Sequence, residues 1–205
     1  MYDYMFRYIL LGNSYVGKTA FTQKLTRGLY NSVYEPTIGV DYATKSLLLD
    51  NGKIIKCQIW DTAGQERYSS LLNNYYKDIA GVIIMYDITK RKTFHNLHFW
   101  IKQLRDYGPQ NVSVILVGNK TDLSQKRVVS KQEAELFAKR NNFFYTEISV
   151  KKEDVSHPIY KLTEDIYLDM NNRKTGIVIN NEKQEKQIIK IANTEKQRYN
   201  CCYIC

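Results

Sequence analysis

Gly12-Asn13-Ser14-Tyr15-Val16-Gly17-Lys18-Thr19 follows directly on the apolar run Met5 to Leu11, and a helix-forming segment follows it. A loop that wraps phosphate needs glycines that turn backbone N–H groups inward, a helix N-terminus aimed at the anion, a lysine to neutralise phosphate oxygens and a hydroxyl to bind magnesium. Gly12 and Gly17, the helix opening at Lys18, Lys18 itself and Thr19 supply those parts in order. Taken alone, the octet also reads as a glycine turn before a helix with a surface lysine. Candidate strands are Met5 to Leu11, Asp41 to Leu49, Ile54 to Trp60, Gly81 to Tyr86, Val112 to Gly118 and Phe143 to Ile148. The Asn51-Gly52 pair between the second and third marks a hairpin, which makes those two antiparallel neighbours. Helical spacing in Phe94, Leu97, Ile101 and Leu104, and again in Ile159, Leu162, Ile166 and Met170, alternates with the strands, and Ser130 with Glu133 forms a capping box. The pattern predicts an α/β fold with a six-stranded, mostly parallel sheet, one antiparallel edge strand and about five helices on both faces.

The 205 residues carry 30 Lys and Arg against 21 Asp and Glu, a net charge of +9. That balance admits nucleic acid, phosphate-bearing ligands or an anionic membrane as partners. The basic residues lack the interleaved aromatics of a nucleic-acid surface, so no nucleic acid partner is expected. No apolar run approaches the roughly 18 residues of a membrane span. The start, Met1-Tyr-Asp-Tyr-Met-Phe-Arg, lacks the pattern of a secretory leader, and a cytosolic, reducing location is expected. After Asn171 the composition turns to Asn, Lys, Gln and Glu, which predicts one domain over 1–172 and a flexible basic tail over 173–205. Cys201, Cys202 and Cys205 crowd the end of the chain while Cys57 stands alone, a poor pattern for a disulfide framework or a zinc site. His95, His98 and His157 are scattered singly and read as helix-surface residues.

Two further motifs close later strands. Trp60-Asp61-Thr62-Ala63-Gly64-Gln65-Glu66 places Asp61 at a strand end, where a magnesium-shell ligand is expected, and sets Gly64 beside Gln65 in a loop suited to approach a terminal phosphate and orient water. Asn119-Lys120-Thr121-Asp122 offers a carboxylate that can accept both the ring N–H and the exocyclic amine of guanine. Adenine cannot offer that pairing, and the wrong base leaves polar groups unpaired. Each motif alone is equally an ordinary strand-to-loop turn; their order on one sheet makes them a set.

These three motifs, with Tyr34-Glu-Pro-Thr37 and Ser149-Val150-Lys151, resemble the Ras superfamily of small GTPases over about residues 4 to 172. Within it, Ile38-Gly-Val-Asp-Tyr42, Lys56-Cys-Gln-Ile-Trp60, Arg67-Tyr-Ser-Ser-Leu71, Tyr75-Tyr-Lys-Asp-Ile79 and Ile84-Met-Tyr-Asp-Ile-Thr89 resemble the five diagnostic segments of Rab proteins. The start, Asp3-Tyr-Met-Phe, and Gly12-Asn-Ser are similar to the secretory-vesicle branch. The resemblance implies a phosphate-loop NTPase fold and a GTP-binding switch that hydrolyses GTP slowly to GDP and recruits effectors in vesicle trafficking. It implies nucleotide binding by Gly12, Asn13, Ser14, Tyr15, Val16, Gly17, Lys18, Thr19, Ala20, Tyr30, Tyr34, Thr37, Gly64, Asn119, Lys120, Asp122, Leu123, Ser149, Val150 and Lys151. Within that set Tyr30 packs edge-on against guanine, Lys120 covers the ring, Asn119 braces the loops, Asp122 reads the base, and the Val150 backbone meets the guanine oxygen. Lys18, Thr37 and Gln65 are the implied catalytic residues, Gln65 orienting the attacking water. Mg2+ falls to Thr19 and Thr37 directly and to Asp61 through water. Ile38, Gly39, Val40, Asp41, Tyr42, Trp60 and Tyr75 form the implied effector surface; each of the three aromatics, read singly, is more often a core residue. The implied partners are an exchange factor, a GTPase-activating protein, effectors, a prenylation escort and a GDP-dissociation inhibitor, with the chain itself a monomer.

The sequence departs from the family at Tyr15, where a small residue is usual. A phenol there can lie over the phosphates or obstruct an arginine finger, so intrinsic turnover on the order of 10⁻⁴ per second and a weakened response to activating proteins are expected. Ile148 and Val150 replace a threonine and an alanine next to a contact made mainly by backbone, while Ser69, Asp78 and Ile79 bear on partner identity. Cys201-Cys202, followed by Tyr203-Ile204-Cys205, resembles the paired-cysteine ending that receives two geranylgeranyl groups. Two lipids anchor stably where one binds reversibly, which places the expected protein on the cytoplasmic face of an intracellular or plasma membrane, cycling with the cytosol. Free thiols are the alternative at that end. For the whole chain the alternative is a nucleotide-locked decoy with negligible turnover, favoured by Tyr15 and disfavoured by Gln65, Thr37 and Thr19. A phosphate-loop kinase or ATPase needs an adenine or acceptor site, and Asn119-Lys120-Thr121-Asp122 counts against one.

Overall fold

The structure, a computed structural model, describes residues 2–30, 37, 40–62 and 75–173. Tyr34, Ile38, Gly39, Gly64, Gln65, Cys201 and Cys202 lie outside the described residues, as does the expected tail after Arg173. Six strands form one sheet in the order β2-β3-β1-β4-β5-β6. They are β1 (Tyr4–Leu11), β2 (Val40–Leu48), β3 (Ile54–Thr62), β4 (Gly81–Asp87), β5 (Ser113–Asn119) and β6 (Phe144–Ile148). Among the described residues only β2 and β3 pair antiparallel. Their hairpin turns at Gly52, whose φ of 79° suits a residue without a β carbon.

Position in the sheet explains the strand sequences. β4 lies between β1 and β5 and is buried at every position, because a parallel strand covered on both faces must be apolar throughout. β2, at the margin, exposes most of its residues. The helices are α1 (Lys18–Arg27), α2 (Arg91–His95), α3 (Leu97–Tyr107), α4 (Lys131–Arg140) and α5 (Ser156–Arg173). The apolar period from Phe94 to Leu104 runs across two helices joined at Asn96 and still buries one stripe, including the fully enclosed Trp100. Ser130 caps α4 as its spacing predicts, its Oγ accepting from Glu133 N at 3.2 Å.

Two cores follow. Phe21 and Leu25 of α1 and Ile159 and Leu162 of α5 pack with Leu10, Ile59 and Val117 of the sheet, while Leu97, Trp100, Ala134 and Ala138 of α3 and α4 pack with Ile9, Ile84 and Leu116. His95, His98 and His157 are exposed. Among the described residues no helix is long and apolar enough to cross a membrane. Because the strands around β1 are parallel and in register, Leu10 lies opposite Asp61 and Asp87 opposite Asn119. The motif-bearing loops therefore leave the sheet along one edge.

Candidate functional site

The phosphate loop is pressed between two neighbours. Gly12 holds φ 138°, and a β carbon on it would lie 2.3 Å from the Met85 carbonyl oxygen; Gly17 holds φ 103°, and its β carbon would lie 2.3 Å from Asn119 Nδ2. Glycine is required at both positions by backbone and by space. Lys18 folds back over its own loop, Nζ donating to Gly12 O at 2.8 Å and Asn13 O at 3.1 Å. Burial pushes its ammonium down to about 8, against the pull of the Asp61 charge. Asn13 Oδ1 accepts from the Trp100 indole at 3.3 Å, which ties the loop to α3. Ser14 and Ala20 are half-buried and Val16 is buried. Tyr15 is exposed with φ 67°, and the Lys90 ammonium lies 5.7 Å from the centre of its ring.

Beside the loop stands a cluster of oxygens. Thr19 Oγ1 and Thr37 Oγ1 are 2.7 Å apart, and the Thr37 hydroxyl donates to Asp61 Oδ2 at 3.4 Å. Asp61 Oδ1 is buried without a partner. Burial pushes this carboxyl up, with the Thr19 hydroxyl and the Lys18 charge pulling the other way. Two hydroxyls and an orphaned carboxylate oxygen are a hard donor set of the kind magnesium takes, and the residues fit that ion. Among the described residues no group of three His, Cys, Asp or Glu side chains offers another metal site.

Asn119 joins the loop after β1 to the loops after β5 and β6. Its Nδ2 donates to Val16 O at 2.7 Å, and its Oδ1 accepts from Lys120 N at 2.7 Å and Val150 N at 3.1 Å. Asp122 Oδ1 accepts from Ser149 Oγ at 2.7 Å, which fixes the carboxylate against the last loop. Lys24 Nζ reaches Lys151 O at 3.3 Å, and Leu123 and Tyr30 stand exposed at the rim. Asp87 was missed as a site residue: fully buried, its Oδ2 faces Lys120 Nζ at 2.7 Å without a directed hydrogen bond. The signal was present, since Asp87 ends an apolar run as Asp61 and Asn119 do. A separate surface lies on the β2–β3 margin, where Tyr42, Trp60 and Tyr75 pack in series as tilted rings with centres 5.1 Å apart in both pairs. Tyr42 is exposed, whereas Trp60 and Tyr75 are half-buried and pack against the second core. Val40 is half-buried and Asp41 exposed beside it.

A phosphate loop on β1, a carboxylate at the end of β3 and an Asn-Lys-x-Asp loop on β5 define the class of phosphate-loop GTPases. The family model described as Ras family matches residues 7–168. The chain is 43% identical over 173 residues to the GTP-binding protein ypt3 of Schizosaccharomyces pombe, covering 84% of this chain and 80% of that one. It is 43% identical over 167 residues to Ras-related protein Rab11B of Nicotiana tabacum, covering 81% and 76%. With Ras-related protein rab-11.1 of Caenorhabditis elegans the identity is 40% over 176 residues, covering 85% and 83%. The chain belongs to the Ras family and, within it, to the Rab group of GTP-hydrolysing switches in vesicle trafficking. These three relatives are of the ypt3 and Rab11 types; none carries the name of the secretory-vesicle branch.

Proposed function

We propose that this Rab-type switch works through the residues gathered at the strand ends. The observation that carries the assignment is the convergence of Lys18, Thr19, Thr37 and Asp61, with one buried carboxylate oxygen left for a ligand. Thr19 and Thr37 would hold Mg2+ directly, with Asp61 behind water, and the ion would neutralise charge on the phosphate oxygens. Backbone N–H groups between Asn13 and Thr19 receive the phosphates, aided by the Lys18 charge and the N-terminus of α1. Lys18 would exchange its present bonds to Gly12 and Asn13 for phosphate oxygens. Asp122, steadied by Ser149, selects guanine, and Lys120 and Tyr30 flank the base. Gln65 orients the attacking water.

The γ-phosphate orders the segments carrying Thr37 and Gln65, and its loss releases them, which changes the face that effectors meet around Tyr42, Trp60 and Tyr75. An exchange factor, a GTPase-activating protein, a prenylation escort and a GDP-dissociation inhibitor complete the cycle. Lipids on Cys201 and Cys202 hold the chain at a cytoplasmic membrane face, the basic residues of 173–205 adding attraction to anionic lipid. Turnover is slow, on the order of 10⁻⁴ per second without a partner. The test is the nucleotide content of the purified full chain followed by single-turnover hydrolysis with and without EDTA. Bound guanine nucleotide and magnesium-dependent conversion of GTP to GDP are expected. Adenine preference, or bound GTP that persists with magnesium present, overturns the assignment.

A further inference from the structure

One turn touches both halves of the cradle. It closes β4, with Lys90 N donating to Asp87 O at 3.0 Å and Asp87 Oδ1 accepting from Thr89 N at 2.9 Å and Thr89 Oγ1 at 2.7 Å. At its start, Asp87 Oδ2 faces Lys120 Nζ in the base loop at 2.7 Å. At its end, Lys90 sets its ammonium over the Tyr15 ring in the phosphate loop. The turn's backbone is fixed from both sides: Ile88 N donates to Asn119 O at 3.1 Å, and Thr93 Oγ1 donates to Lys90 O at 2.7 Å. Lys90 therefore rises from a rigid base, whereas Tyr15 belongs to a loop that has to accept and release a ligand.

Tyr15 holds a left-handed backbone at φ 67° and exposes 57% of its surface. A bulky residue in that region relies on its surroundings to stay there. We propose that Lys90 is a positioning residue acting through Tyr15: the pair latches the phosphate loop to the turn that also holds Lys120, so that the phosphate and base halves open together and bound nucleotide leaves slowly. Asn119, through Val16 O, is the inner joint between the same halves, and the Lys90–Tyr15 contact is the outer one. This rests on the assignment of the cradle to a guanine nucleotide.

Release of a fluorescent GDP analogue from the full chain, chased with excess GTP, reads the latch. Lys90→Gln and Tyr15→Leu should each release the analogue about two- to fivefold faster, the range a surface cation–ring contact supports. The double substitution should release no faster than the quicker single one, because the two share one contact. Lys90→Arg, which keeps a cation over the ring, should restore slow release. A parent that purifies without guanine nucleotide overturns the site assignment. A nucleotide-loaded parent whose Lys90→Gln variant releases at the parental rate overturns the latch alone, as does a double variant in which the two effects multiply. If Tyr15→Leu fails to fold, Lys90→Gln against Lys90→Arg, both on an exposed side chain, still decides the matter.

Discussion

The middle of the sheet and its β2 margin build their surfaces from opposite materials. Where β1 and β5 end, the cradle is made of backbone and of buried polar groups that hydrogen-bond to it. Gly17 lies against Asn119 with no room for a β carbon, and Asn119 serves three backbone groups at once. At the margin, Tyr42, Trp60 and Tyr75 meet as tilted rings on a partly solvated surface. Close-packed buried joints transmit any change of volume, whereas solvated contacts lose only what they themselves contribute. The cradle should therefore be intolerant of substitution and the aromatic face tolerant in folding, whatever each does in binding.

Gly17→Val should have the largest effect. It places a branched side chain at φ 103° and drives it into Asn119 Nδ2. Strain and overpacking together cost about 2–5 kcal/mol. Urea unfolding should show that loss and the purified variant should carry no guanine nucleotide; parental nucleotide content would show that the loop accepts a side chain at this position. Asn119→Ala comes next. It strands Val16 O and Val150 N, and leaving buried groups unpaired costs about 1–3 kcal/mol each before relaxation or water entry. A net loss of about 2–4 kcal/mol in urea is expected, with GDP release accelerated more than tenfold. A loss below about 0.5 kcal/mol would show that the phosphate and base loops are held independently.

The same contrast explains what was legible in the sequence. β4 and β5 could be placed to within a residue because strands covered on both faces must be unbroken apolar runs, and the motifs could be placed because each starts where such a run stops. The helix cap at Ser130 was equally local. What could not be read depends on register between distant segments. Asp87 meets Lys120 because β4 and β5 pair Asp87 with Asn119, and Trp100 reaches Asn13 across 87 positions of sequence. The exposure of Tyr42 follows from β2 being the edge strand: the hairpin signal makes one of β2 and β3 that edge, and strand order decides which.

The opposite margin offers an intermediate case. Glu147 of β6 accepts from both terminal nitrogens of Arg127 at 2.7 Å and from the Tyr145 hydroxyl at 2.6 Å. Burial would raise its pKa, but the Arg127 and Tyr145 hydrogen bonds outweigh burial and hold it below its ordinary value of 4.5. A carboxylate whose pKa is lowered on folding stabilises the fold above its unfolded value and loses that contribution as pH falls through the folded one. Glu147→Gln should therefore unfold more easily than the parent by about 1–3 kcal/mol at pH 7. The gap should close as the pH falls below 4.5 toward the lowered value. A gap that stays constant from pH 7 into that acid range would rule out the charge as its source.

The smallest folding effect belongs to Tyr42→Ala. Tyr42 leaves 45% of its surface exposed and touches Trp60 on one side only, whereas Trp60 packs between two rings. An aromatic pair contributes about 0.5–1.5 kcal/mol beyond buried area, and solvation of the phenol places Tyr42 at the low end. Urea unfolding should move by less than about 1 kcal/mol for Tyr42→Ala and by about 2 kcal/mol for Trp60→Ala, with a coupling of about 0.5 kcal/mol in the double variant. If Tyr42→Ala instead costs as much as Asn119→Ala, the trio supports the fold as the central joint does. If it costs little but abolishes capture of a GTP-dependent partner, then the margin is free to change with the partner because the fold does not depend on it.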